Sequence, residues 1–260
     1  MSVFSDNRFR TLPLNPAARS TILIVDSERL YDLQHSRDGV DILGNQTVSI
    51  LDASNALLDD PLAAKLKLGN LLIAGNQLVQ SPYINENYAS IETAADYFSL
   101  EKWHLVSTFF SKLGARSVEQ LSKKSRRDES KIQVKAKGTY SATSADGNIA
   151  DSLTQHASAE ASLLQTFVGG AADVDSARDF LMRHHLNGDV QLNSILEQAA
   201  NPNNRLSTYR LEMNMTLEAQ RTIEASLAVS VPTALLKMSV SVKQVRKSLE
   251  SEGRVIEVKF

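Results

Sequence analysis

From Tyr209 onward the chain alternates: Tyr209, Leu211, Met213, Met215 and Leu217 are apolar, while Arg210, Glu212, Asn214, Thr216 and Glu218 between them are polar. A period of two gathers apolar side chains on one side of an extended chain, whereas a helix would scatter them around its axis. The parity resumes after Arg221 as Ile223, Ala225, Leu227, Val229 and Val231, and stops at Pro232. It returns in "LLKMSVSVKQVRK" (235–247), with Leu236, Met238, Val240 and Val242 opposite Lys237, Ser239, Ser241 and Lys243. "SEGR" at 251–254 is a turn candidate leading into "VIEVKF", with Ile256, Val258 and Phe260 inward. Residues 206–260 are therefore predicted to form an antiparallel sheet with one wet face.

The first half reads differently. Residues 1–20 are polar, carry Pro13 and Pro16, and are expected to form an extended arm. "TILIVD" (21–26) and "TVSIL" (47–51) are short, rich in β-branched residues and suited to buried strands. Asp60-Pro61 is an N-cap followed by proline at the first helical position, and predicts a helix over about 61–74, ending at Gly75. A second helix is predicted over 92–113, where Trp103, Val106, Phe110 and Leu113 share a stripe widened by Phe98, Leu105 and Phe109, and Gly114 supplies a left-handed stop.

"EQLSKKSRRDES" (119–130) is polar throughout and places a boundary between two regions. Beyond it "KIQVKAKGTY" alternates Ile132, Val134 and Ala136 against lysines and Gln133, a half-buried strand pattern. A helix is expected over 148–167, ending at Gly169-Gly170. Another follows through "SARDFLMRHH", capped by Asp173 or Asp175 and stopping at Asn187-Gly188, then a short one over 190–199 and a turn at 201–204. The expected fold class is α+β: an arm (1–20), a mixed α/β region (21–125) with two long helices, and an antiparallel β-rich region (130–260) with helices inserted near 148–199.

With 260 residues, 42% of them hydrophobic, the chain has ample material for a folded core. It has no cysteine, which removes disulfides, thiolate catalysis and cysteine-based zinc sites. The opening "MSVFSDNRFR" has no apolar leader, Met-Ser lacks the glycine of a myristoylation signal, and the longest apolar runs fall far short of the roughly 18 residues of a membrane span. A cytoplasmic, soluble protein is expected.

One stretch, "VSILDASNALLDDP" (48–61), resembles the opening of PIN-domain nucleases: a strand, an aspartate at its end, a small residue and then a helix. The resemblance implies a divalent-metal site for phosphodiester hydrolysis, with Asp52 at the matching position and Glu86 or Glu92 as a second acid. The chain departs from the family in lacking a recognisable later pair of strand-end aspartates. Asp26 follows the other early strand and reads as a turn residue. His184 and His185 end a predicted helix that also carries an Asp179-to-Arg183 spacing, but adjacent histidines point about 100° apart and match no zinc motif. Gly169-Gly170 lacks the further glycines and lysine of a phosphate loop. No catalytic residue, metal ligand or cofactor is assigned.

Charge is concentrated in one place. Residues 112–137 carry nine basic and three acidic side chains, a local +6 that leaves −8 for the rest of a chain whose net charge is −2. Lys123, Lys124, Arg126, Arg127, Lys131, Lys135 and Lys137 form a candidate patch for an anionic partner: an acidic protein surface or anionic lipid. Base-stacking aromatics are not interleaved with it, which argues against specific nucleic-acid reading. The leading expectation is a non-catalytic protein that acts through self-assembly as a homo-oligomer, or through a protein partner, by pairing strand edges. The second is a pore-forming effector whose segments 131–168 and 221–245 make amphipathic hairpins in a membrane. The third is a PIN-like nuclease centred on Asp52.

Overall fold

The computed structural model describes residues 9–57, 59–124, 163–201, 207–228 and 253–260. Within them the fold is α+β, with seven α-helices, one mixed sheet and one antiparallel sheet, each of four strands. The chain divides into two units: 1–95 with 218–246, and 96–217 with 247–260.

In the first unit, β1 (Thr21–Val25) and β2 (Val48–Asp52) are parallel, and β3 (Gln77–Gln80) and β4 (Tyr88–Ser90) follow in the order β2-β1-β3-β4. The β1–β2 crossover is made by α1 (Ser27–His35) and α2 (Arg37–Leu43). These two helices occupy a stretch to which the sequence reading gave no element. Asp26 and Ser36 cap them, each accepting a backbone N–H from the first turn, and such caps start helices too short to be signalled by periodicity. Helix α3 (Pro61–Leu68) begins at Asp60-Pro61 as predicted, with Asp60 Oδ1 accepting from the N–H groups of Leu62 and Ala63. It ends at Gly69, six residues short of the expected stop at Gly75, which instead lies at φ 96° on the way into β3.

Sheet and helices make two cores. On one face Phe9, Leu23, Val25, Leu33, Ile42 and Ile50 pack together; on the other, Leu12, Ile22, Ile24, Leu51, Leu62, Leu66, Leu78 and Tyr88. Phe9 and Leu12 thus lie on opposite faces, with the chain between them held to the segment after β2 by Leu57 N–H donating to Arg10 O at 2.8 Å and Leu12 N–H to Asp60 Oδ2 at 3.0 Å, and Pro16–Arg19 forms a 3-10 turn before β1. Buried Arg19 ties this turn down, donating to Pro13 O at 2.9 Å and to Glu86 Oε1 at 2.6 Å.

The second unit is organised around α4 (Ala94–Lys112), apart from the helix's first two residues. All seven stripe residues read from the sequence are buried. So are Ser99, Glu101, Lys102 and Ser107, which makes this a helix enclosed on nearly every side. Gly114 at φ 87° stops it as predicted, and Ala115 N–H reaches back to Phe110 O at 3.0 Å.

The antiparallel sheet of this unit runs β6-β5-β8-β7, from β5 (Ser117–Lys124), β6 (Leu164–Thr166), β7 (Thr208–Asn214) and β8 (Gly253–Lys259). The predicted alternation holds in β7 and β8: Leu211, Met213, Ile256 and Val258 are buried, and on the other face Arg210 and Glu257 pair at 2.6 Å. Buried Arg254 donates to Ser99 Oγ at 2.9 Å and to Gln120 Oε1, and buried Lys102 to Asp189 Oδ2 at 2.8 Å and Asn214 O at 2.9 Å.

Further expectations need correction. Residues 164–166, expected in a helix, are strand β6; the rest of that predicted helix, 148–162, and the predicted strand at 131–137 lie outside the described residues. Helix α5 (Val174–Arg183), capped by Asp173, ends with His184 as C-cap and does not run to Asn187; α6 (Val190–Ala200) follows much as predicted. The largest correction concerns the alternating tail, where Leu217–Leu227 is helix α7 and not strand. Residues 229–250, including the predicted strand at 235–247, lie outside the described residues. The polar run from Glu119 is strand over its first six residues, in β5.

Candidate functional site

The carboxyl ends of parallel strands β1 and β2 bring Asp26 and Asp52 to neighbouring positions, since Val25 and Asp52 are register partners. Ligands of α/β proteins often settle at such strand ends. Here the groups are already engaged. Asp52, 4% exposed, accepts Ser54 N–H on Oδ1 at 2.9 Å, and Ser27 Oγ–H and Asn55 Nδ2 on Oδ2, each at 2.9 Å. Asn55 O in turn accepts Arg10 Nε at 3.1 Å. Asp26 caps α1 by accepting Arg29 N–H, with Arg29 Nε 3.8 Å from its other oxygen. The arrangement fastens the turn after β2 to the start of α1.

The acids expected to join Asp52 do not. β4 runs parallel to β1, being antiparallel to β3, which is itself antiparallel to β1. Glu86 precedes β4 and therefore lies at the opposite end of the sheet, paired with Arg19. Glu92 follows β4 at the Asp52 end, but three strand spacings away, about 14 Å. Among the described residues no group of three or more His, Asp or Glu side chains is placed to hold a metal ion.

Of the proposed basic patch, Lys123 and Lys124 are on β5, their backbones opposite Arg254 and Gly253 of β8; Arg126, Arg127, Lys131, Lys135 and Lys137 lie outside the described residues. The His184 ring packs on Phe180 with centroids 4.4 Å apart, and His185 takes φ 54° in the turn beyond. Gly169-Gly170 leads to a helix whose N-terminus is filled by the Asp173 carboxylate, so no anion cradle forms there.

A feature missed in the sequence is a cleft of about 570 Å³ in the first unit, lined by Phe9, Pro13, Gln34, His35, Leu43, Val48, Ser49 and Ile50. One wall is β2, the end strand of its sheet among the described residues. Thr21 N–H bonds Thr47 O and Ala53 N–H bonds Val25 O, so alternate residues of β2 face β1, and Ile50 between them turns its N–H and C=O outward. Apolar side chains stay uncovered around the cleft: Leu43 is 39% exposed, Val40 one turn earlier on α2 64%, Tyr31, stacked on His35 at 4.0 Å, 61%, and Leu14 next to Pro13 94%. Nothing in the spacing of the apolar residues of 27–43 marked the cleft, since the two helices carry no more of them than the chain average. No helix among the described residues is long and apolar enough to cross a membrane.

No protein family, curated protein or solved structure matches this chain.

Proposed function

We propose that the chain works without catalysis, joining further copies of itself or a protein partner along the open edges of its sheets. The observation that carries this reading is the cleft beside β2, where outward backbone groups of an end strand meet uncovered apolar side chains. An added extended segment satisfies the backbone groups through main-chain hydrogen bonds, and its alternate side chains fill the apolar recess. The second sheet, among the described residues, ends in the seven-residue β7. The basic run that includes Lys123 and Lys124 would steer an acidic partner surface towards the protein.

Size-exclusion chromatography with light scattering over a range of micromolar concentrations tests this. Concentration-dependent growth in mass is expected, and Leu43→Glu, which puts a charge on the cleft wall at a partly exposed position, should weaken it by about tenfold. A strict monomer that also retains no protein partner, or assembly indifferent to Leu43→Glu and to charge on β7, would sink the reading.

A further inference from the structure

Helix α7 is made of two halves with different sequence logic. Leu217, Glu218, Ala219, Gln220 and Arg221 are all strong helix formers. Thr222 to Leu227 instead continue the strand parity: Ile223, Ala225 and Leu227 alternate with Thr222, Glu224 and Ser226, and the sequence carries the pattern on to Val231. As a helix this half buries Ile223 and Ser226, leaves Leu227 half-buried and leaves Ala225 exposed.

Beside buried Ile223, polar contacts hold the half in place. Ser226 Oγ accepts the Thr21 hydroxyl at 2.8 Å and donates to Thr222 O at 3.0 Å, and Ser226 O accepts Gln77 Nε2 at 2.7 Å. In a strand the Thr222 and Ser226 carbonyls would find ladder donors, whereas the Thr21 hydroxyl and the Gln77 amide would turn to water, so the latch is what opposes the change. A segment whose local pattern disagrees with its fold has a second structure within reach.

Resting on the assembly reading above, we infer that Thr222–Leu227 is a conformational switch: helical and latched to β1 and β3 in the single chain, and an extended strand pairing with a second copy in the assembled form. Strand pairing between copies would gather Ile223, Ala225 and Leu227 on one apolar face, which the helix cannot do.

The absence of cysteine allows a clean lock. Hydroxyls in contact at 2.8 Å put positions 21 and 226 within bridging range, so the double variant Thr21→Cys, Ser226→Cys can be closed by mild oxidation and reopened with dithiothreitol. Light scattering should show assembly in the reduced protein and at least a tenfold loss in the oxidised one. Infrared amide I spectra of assembled wild-type protein should show helix lost and strand gained. Ala225→Val, at an exposed position where it weakens helix and favours strand, should lower the assembly midpoint about threefold, and decides the matter if the bridge does not close. Equal assembly of oxidised and reduced protein, an unchanged amide I band, or an Ala225→Val midpoint at or above wild type overturns the switch and leaves the assembly reading standing. A wild-type chain that stays monomeric overturns both.

Discussion

Thr21 and Ser226, 205 positions apart in the chain, meet hydroxyl to hydroxyl at 2.8 Å in a buried site. The bond closes the first unit, because it joins β1 to a segment that the chain reaches only after building most of the second unit. Ser226→Ala should lower stability by about 1–3 kcal/mol by leaving the Thr21 hydroxyl buried without its acceptor. Thr21→Val combined with Ser226→Ala should cost less than the sum of the single changes. Urea unfolding of the four proteins as a double-mutant cycle measures this, and strict additivity refutes the coupling.

Asp52 is expected to behave as a structural residue. Asp52→Ala removes the acceptor of Ser27, Ser54 and Asn55 and should reduce unfolding free energy by about 1–3 kcal/mol, with Asp52→Asn milder because its amide oxygen still accepts. Manganese should leave the thermal midpoint of the wild type unmoved. A manganese-dependent rise that Asp52→Asn abolishes would restore the metal-site interpretation.

Gly114 combines φ 87° with a close approach: a Cβ there would stand 2.4 Å from Gly170 O. Gly114→Ala should therefore destabilise by about 1–3 kcal/mol, from left-handed strain and from displacement of the 169–170 loop. Calorimetry reads it directly. An unchanged melting temperature would mean that the loop yields without resistance.

Burial raises the hydroxyl pKa of Tyr88 and of Tyr97, helped at Tyr88 by Glu86 against the opposing Arg19, and at Tyr97 by the Glu101 carboxylate. A group whose folded pKa lies above its unfolded value stabilises the fold fully below the unfolded value, near pH 10, and loses that contribution as pH rises further. Alkaline titration followed at 295 nm should thus find Tyr88 and Tyr97 protonated until the chain unfolds. Tyr97→Phe should move the alkaline unfolding midpoint upward, and a midpoint that falls instead would count against this account.

The sequence was legible where one physical signal dominated. Asp60-Pro61 marked a helix start because cap and proline act locally, and the broad stripe of Trp103, Phe109 and Phe110 marked α4 because deep burial demands it. β7 and β8 were legible because their sheet keeps one wet face. α7 was misread because Ile223, Ala225 and Leu227 carried on the strand parity, although Leu217–Arg221 already held the helix-forming run. Helices α1 and α2 went unseen because caps at Asp26 and Ser36, not periodicity, define them. At the candidate site Asp52 was visible as a strand-end acid, but its three donors and the cleft beside β2 arise from tertiary packing that spacing does not encode.

The two-segment construction of the first unit also matters during synthesis. Translation at about 5–20 residues per second separates residue 95 from residue 226 by roughly 7 to 26 s. Through that interval Thr21 and Gln77 have been made but Ser226 has not, so the contacts that join the two segments of the unit can form only late in synthesis.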